Sequence, residues 1–333
     1  MPALETITVI RTDRLGDMVL TLPLLGVLRR TFPEVQISLI ARSYVADLLY
    51  NCPVIDSVVY SDKLSGGTSE ALTKLRPDMV FFPRPRFGEA LSAFIQSVPI
   101  RVGSRYRWYS SLFTDKIPEH RSDALHHEAE YNVRMAHFML ERRFPDRFST
   151  DIFTPELIRP IIQPQSAESV KILLEQNGIN IGLPFAVIHP GSGGSARDWP
   201  AENFAELAAF LTTEIKIPII ITGIAAESNL CEFVKSNAPS TINLCGALSL
   251  AEMTALLDMA ALMIAGSTGT LHIAAALGTP VIGLYPNTPS ISAHRWGPLS
   301  HNSIVISPPQ GDDMSLIGVE QVAEAAQTSL SNA

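Results

Sequence analysis

The chain has 333 residues, 46% of them hydrophobic and 17% charged, with a formal net charge of −8. That length suits two domains of about 150 residues each, and the acidic balance excludes a general nucleic-acid binder, which needs a basic footprint. Three scattered cysteines without C-x-x-C spacing, no basic apolar leader and no long apolar run together exclude a disulfide framework, a structural zinc site, a secretory signal and a membrane span.

Taken in order, the chain alternates strand and helix. A β-branched run, Thr6–Ile10, precedes a helix expected over Asp17–Arg30. Strands at Val35–Ile40, Val58-Val59, Met79–Phe82 and Arg101–Gly103 alternate with helices at Tyr44–Tyr50, Glu70–Leu75, Gly88–Gln96 and His126–Arg142. Arg143–Gln165 breaks the rhythm with Pro145, Pro155, Pro160 and Pro164 and reads as the interdomain segment. The alternation restarts with helices at Glu168–Gln176, Glu202–Thr213, Ser228–Ser236, Ala251–Met259 and Thr270–Leu277. Strands at Phe185–Ile188, Ile217–Thr222, Thr241–Leu244, Ala261–Ala265, Val281–Leu284 and Ile304–Ile306 lie between and after them. A last helix, Gly318–Leu330, is open to packing back on the first domain. This pattern predicts two doubly wound α/β domains, residues 1–160 and 161–333, with ligands beyond the carboxyl ends of the strands in a cleft between them.

Five segments carry chemistry. Arg11-Thr12-Asp13-Arg14-Leu15-Gly16-Asp17 follows the first strand, and Gly16 permits a tight strand-to-helix turn. Asp17 at a helix start is either a cap or an ionised base able to take a proton from an acceptor hydroxyl, with helix N–H groups lowering its pKa. Asp13 is a second acid on the same loop. The segment is neither a G-x-G-x-x-G fingerprint nor a Walker A loop, which argues against a dinucleotide-dependent dehydrogenase. The small residues Ser192–Ser195, after His189-Pro190-Gly191, favour close approach of the backbone to an anion, and Arg197 supplies a forked cation for a diphosphate. Glu227, after Thr222-Gly223, can accept from ribose hydroxyls or simply start a helix. Ser267-Thr268-Gly269 with His272 forms a strand–turn–helix cradle for a phosphate. Finally Arg84, Arg86, Arg101, Arg105 and Arg107 face one acid, Glu89, and interleave with Tyr106, Trp108 and Tyr109. That excess suits an anionic acceptor such as a phosphorylated glycolipid, and a membrane interface. His126-His127-Glu128 lacks zinc-site spacing and reads as a helix start.

Three of these segments together resemble the heptosyltransferase family, glycosyltransferase family 9. They are Arg11-x-x-x-x-Gly16-Asp17 with Thr21-x-Pro23, His189-Pro190-Gly191-Ser192 with Arg197-x-Trp199-Pro200, and Ser267-Thr268-Gly269-x-x-His272-x-Ala274-Ala275-Ala276-x-Gly278-Thr279-Pro280. The resemblance implies a two-domain GT-B fold and an inverting, metal-independent transfer of heptose from ADP-heptose to a lipopolysaccharide-core-type acceptor, with no cofactor. It implies Asp17 rather than Asp13 as the base. It places Ser192, Arg197, Ser267, Thr268, Gly269 and His272 around the donor diphosphate and Glu227 near the nucleoside. Asp13, Arg84, Arg86 and Arg105 are the candidate acceptor contacts. Where better-known members have aspartate, this chain has Ser267. The expected setting is cytoplasmic, at the inner face of the inner membrane. Another GT-B transferase, a sugar-nucleotide epimerase and a non-catalytic nucleotide-sugar binder are the alternative readings.

Overall fold

A computed structural model describes residues 4–148, 154–194 and 196–331. Ser195 and residues 149–153 of the expected interdomain segment lie outside them. Clustering of the fold gives two compact units, Met1–Ile158 and Arg159–Ala333.

In the first unit the order is β1 (Thr6–Ile10), α1 (Leu15–Val19), α2 (Leu22–Thr31), β2 (Gln36–Ala41), β3 (Ser57–Tyr60), α3 (Gly67–Leu75), β4 (Met79–Phe81), α4 (Phe87–Ile95), β5 (Ile100–Ser104), β6 (Asp115–Ile117) and α5 (Glu128–Arg143). The strands form one sheet in the order β3-β2-β1-β4-β5-β6, every pair parallel. Ile10, Ile40 and Val80 pack beneath Ala71 and Leu72 of α3 and Ala90 and Ala93 of α4. Helices α2 and α5 pack together. Strands β1, β2 and β4 are buried at nearly every position, the polar Thr8 and Ser38 included, because helices cover both faces of such a sheet.

Three expectations for this unit are corrected. Asp17–Arg30 is not one helix: it breaks at Leu20-Thr21, because Pro23 has no N–H to donate and belongs in the first turn of α2. The N-cap of α1 is Arg14, so Asp17 is not the cap but a residue of the first turn. Residues Tyr44–Tyr50 form a 3-10 turn over Ser43–Leu49 rather than an α-helix. The sequence pattern also missed β6, whose Asp-Lys-Ile looks unlike a strand. Asp115 is buried there and bonded by Arg143 at 3.0 Å and 2.7 Å.

The second unit runs α6 (Pro164–Gln176), β7 (Ala186–His189), α7 (Ala201–Thr213), β8 (Ile219–Ile221), α8 (Ser228–Asn237), β9 (Ile242–Asn243), α9 (Leu250–Met259), β10 (Leu262–Gly266), α10 (Gly269–Leu277), β11 (Val281–Leu284), α11 (Ala293–Trp296), β12 (Ser303–Ile306) and α12 (Val319–Ser331). Its sheet order is β12-β11-β10-β7-β8-β9, again all parallel. Numbered within each unit, both sheets have the strand order 3-2-1-4-5-6. The strand direction of travel therefore reverses between β1 and β4 in one unit, and between β7 and β10 in the other. Such switch points are where doubly wound sheets open to ligands. Ile188, Ile219, Ile221, Ile264 and Ile282 share a core with Trp199, Phe204, Leu207 and Val322. Helix α12 packs on α7, β10 and β11.

Candidate functional site

The β1 loop carries a buried charge cluster. Arg11, whose side chain is 1% exposed, pairs through Nε with Asp13 Oδ1 at 2.6 Å and through Nη2 with Asp17 Oδ1. Its Nη1 lies 4.0 Å from Glu128 Oε1 at the start of α5. Asp13 Oδ2 accepts from Arg84 Nη1 at 2.9 Å, so both oxygens of Asp13 are held by arginine. Asp17 differs. Only its Oδ1 is engaged among the described residues, and its side chain is 12% exposed against 3% for Asp13. Its backbone carbonyl accepts from Thr21 Oγ1 at 2.7 Å, and Asn132 Nδ2 donates to Leu20 O at 2.9 Å, which ties the α1–α2 break to α5. Burial raises the Asp17 pKa more than Arg11 lowers it, and the charges of Asp13 and Glu128 add to the rise. This corrects the expectation that helix N–H groups depress it.

Of the arginine cluster, Arg84 is committed to Asp13, and Arg101 Nε donates to Leu112 O at 2.6 Å, a structural role. Arg86, Arg105 and Arg107 are exposed. Arg86 and Arg42 line a cavity of about 250 Å³ together with Thr12, Asp62, Thr68 and Glu89. Glu89 is buried there, accepts from Thr12 Oγ1 at 2.8 Å, and has its pKa raised by burial. Sequence reasoning missed Arg42, Glu89 as a lining group, and Glu128. Arg42 directly follows a strand, which was the available signal. Glu128 had none, since its partner Arg11 is distant in sequence. Trp108, 81% exposed, stacks on Phe87 with ring centroids 4.8 Å apart. Tyr109 instead turns inward and donates to Pro85 O at 2.7 Å.

In the second unit the β7 loop is ordered by Glu227. Its Oε1 accepts from Gly193 N at 2.8 Å and its Oε2 from Ile224 N at 2.9 Å. His189 Nδ1 shares a proton with Thr222 Oγ1 at 2.9 Å, and its Nε2 lies 4.0 Å from Glu227 Oε2. Burial lowers the His189 pKa. Gly193 and Gly194 have φ of +57° and +73°, a left-handed pair that glycine takes without a Cβ penalty. Ser192 Oγ accepts from Ala196 N at 3.3 Å and also meets Asp198, closing the loop on itself. Trp199 anchors the loop's end, donating from Nε1 to Ile317 O at 3.0 Å. Arg197 is 65% exposed and pairs with Asp312 at 3.1 Å. The β10 turn lies next to it: a Cβ on Gly266 would stand 3.9 Å from Arg197 O.

Thr268 caps α10, its Oγ1 accepting from Leu271 N at 3.3 Å, and Gly269 is the first helical residue. His272 is buried in the same helix. Ser267 hydrogen-bonds the buried Tyr285 phenol. That phenol donates to Trp296 O at 2.8 Å, which makes Ser267 the donor of the other bond. So Ser192 and Arg197 fall on the β7 loop and Ser267 and Thr268 on the neighbouring β10 turn, with Gly269 and His272 in the first turn of α10 that follows it, all at the β7/β10 switch point, and Glu227 supports the β7 loop from the turn after β8. Among the described residues, no group of three or more His, Cys, Asp or Glu converges as a metal site, and no helix is long and apolar enough to cross a membrane.

Two parallel sheets of this order, each with its polar loops at the switch point, place the chain in the GT-B fold class. The pattern of glycosyltransferase family 9 (heptosyltransferase) matches residues 152–316. A Haemophilus influenzae protein provisionally named a glycosyltransferase is 27% identical over 94% of this chain and 92% of its own length. Lipopolysaccharide heptosyltransferase 2 of Salmonella typhimurium is 26% identical over 90% of this chain and 87% of its own. The solved structure of Escherichia coli ADP-heptose lps heptosyltransferase II has the same fold, with a TM-score of 0.81 at 22% identity, covering 98% of this chain and 99% of that one. The chain belongs to glycosyltransferase family 9, the heptosyltransferase family, and is a glycosyltransferase.

Proposed function

We propose that this enzyme transfers a heptose from ADP-heptose to a sugar of the lipopolysaccharide core type, with inversion and without a metal. The observation that carries the reading is Asp17: one oxygen is fixed by Arg11, and the other is unengaged among the described residues, at the β1/β4 switch point. A base needs that arrangement, one oxygen held for aim and one free to receive the proton. Asp13, clamped on both oxygens, lacks it.

In the proposed step Asp17 Oδ2 takes the proton of the acceptor hydroxyl as its oxygen attacks the anomeric carbon. The bond from that carbon to the diphosphate breaks on the opposite face, which inverts the centre. Charge gathering on the departing diphosphate is met by the Gly194 N–H of the turn that Glu227 holds through Gly193, by the start of α10 at Gly269, and by Arg197. Preorganised donors of this kind are usually the largest catalytic contribution. Ser192 and Thr268 act by shaping their turns, His272 by filling the space beneath α10, and Glu227 by holding the β7 loop. The donor assignment is supported by the names of the matched relatives; Ser267 contributes a neutral hydroxyl toward the donor sugar. Arg42 and Arg86, with Glu89 between them, offer cations and a hydroxyl acceptor for an anionic sugar, and Arg105 extends the same basic face. The exposed Phe87–Trp108 step beside these arginines suits contact with an anionic lipid surface.

The test is product formation from ADP-heptose and a core acceptor. Asp17→Ala is expected to keep ADP-heptose binding and to lose about 10²–10⁴ in turnover. Near-normal turnover in that variant removes Asp17 from the role, and no consumption of ADP-heptose by the unaltered enzyme removes the donor assignment.

A further inference from the structure

Glu128 opens α5, far along the chain from the β1 loop, yet its side chain is only 4% exposed and its Oε1 stands 4.0 Å from Arg11 Nη1. The same guanidinium meets Asp13 through Nε and Asp17 through Nη2. Three carboxylates therefore divide one buried cation. Two further arginines sit on the outside: Arg84 against Asp13 at 2.9 Å, and Arg121 against Glu128. Arg121 is held in place by Asn132 Oδ1 at 2.9 Å and lies over the Tyr131 ring. The Tyr44 hydroxyl donates to the Asp13 backbone oxygen. The charged and titratable groups around Asp17 are thus Arg11 and Asp13 from its own loop, Arg84 from the segment after β4, Tyr44 from the turn after β2, and Glu128 with Arg121 from α5 and its approach.

A carboxylate that owned Arg11 alone would be held ionised and would make a poor base. We infer that Glu128 is a positioning residue for transfer: by claiming part of Arg11 and adding its own negative charge, it keeps Asp17 able to accept the acceptor's proton. The inference rests on the reading of Asp17 as base. Arg121 sets how much of the Glu128 charge Asp17 feels. The arrangement also serves the second half of the step. Once Asp17 is protonated and neutral, Arg11 still faces Asp13 and Glu128, so no unpaired cation is left in the interior. Burial drives Asp17 toward its protonated form, and Glu128 pushes it in the same direction.

Glu128 and Arg121 carry opposite charges, so their removal has opposite signs. In the full-length enzyme with ¹³C-labelled aspartate carboxyls, the Asp17 signal is assigned by its loss in Asp17→Asn, and its titration midpoint is followed. Glu128→Gln is expected to lower that midpoint by about one pH unit, and Arg121→Gln to raise it by a similar amount. The acid limb of kcat/KM should move with the midpoint in each variant, and Glu128→Asp should restore most of the shift. A merely structural Glu128 would lower the melting temperature and leave the midpoint where it was. Midpoints that stay put, or that move in the same direction in both variants, overturn the inference. If Glu128→Gln fails to fold, the sign of the Arg121→Gln shift decides. Normal turnover in Asp17→Asn is a different result: it overturns the base assignment itself, whatever the midpoints do.

Discussion

Replacing Gly191 by alanine puts a methyl group where the Glu227 carboxylate sits, since a Cβ built there collides with Glu227 Oε1. The carboxylate must swing away or the β7 loop must lift. Either response breaks the bond from Gly193 N at 2.8 Å, and a swing also loosens the one from Ile224 N at 2.9 Å. A hydrogen bond to a charged group contributes about 1.5–3 kcal/mol net. If that energy is lost only from the loop geometry that receives the diphosphate, the binding-competent fraction falls and the apparent Kd rises by the same factor. At 1.4 kcal/mol per tenfold, ADP affinity should fall by about 10–100-fold. Titration calorimetry with ADP reads this directly, and the melting temperature of the unliganded variant reports whether the unit is otherwise intact. Glu227→Gln should reproduce much of the loss, because an amide nitrogen would face one of the two N–H donors. ADP binding unchanged in Gly191→Ala, with an unchanged melting temperature, refutes the claim that this carboxylate orders the loop.

Arg197→Ala should weaken ADP binding while leaving the melting temperature nearly unchanged, because its pair with Asp312 is exposed and such pairs contribute about 0–1 kcal/mol; a large loss of stability with normal ADP affinity would contradict this. The pH profile of kcat/KM should show an acid limb above the usual carboxylate range. As the proposed base, Asp17 would act only when ionised, and its pKa is raised, so activity should be present above that value and lost as pH falls through it. A limb at or below the ordinary aspartate value would count against the assignment. Asp115→Asn should cost about 1–3 kcal/mol in urea unfolding, since it leaves the partly buried Arg143 facing a neutral amide; Arg142, 63% exposed at 3.5 Å, is screened by solvent and adds little.

The alternation of elements was legible because each β-branched run is long enough to cross a sheet and each helix has its own apolar face. Alternation does not fix the order of strands, and β6 was hidden because one buried ion pair, Asp115–Arg143, replaces the apolar residue expected at an inward position. The three polar loops could be read because glycine and small polar residues directly follow an apolar strand in each, and Gly193 and Gly194 do have positive φ. The roles of side chains within those loops were harder to read. Ser192 and Thr268 look like phosphate donors in sequence, yet their hydroxyls close their own turns. Glu227 looks like a ligand group, yet both its oxygens accept from backbone. Short-range partners of this kind depend on φ and ψ, which residue type alone leaves open. The proposed choice of Asp17 over Asp13 turns on Arg84, which another element contributes.

The two switch points solve opposite electrostatic problems with the same strand order. At the front, three arginines (Arg11, Arg84, Arg121) face three carboxylates (Asp13, Asp17, Glu128), so the cluster is neutral when all are ionised. A neutral, buried cluster gives up little when one member takes a proton, provided the others keep the shared cation paired; that is what a base requires. At the rear, the loops carry few charges and their side chains are spent on each other, which leaves backbone N–H groups and one exposed guanidinium to meet an anion. Such a surface costs little to desolvate, and its donors do not change protonation state with pH. On the proposed mechanism, proton movement and charge stabilisation fall on separate units, so a change of pH that silences Asp17 should leave ADP affinity almost unaltered.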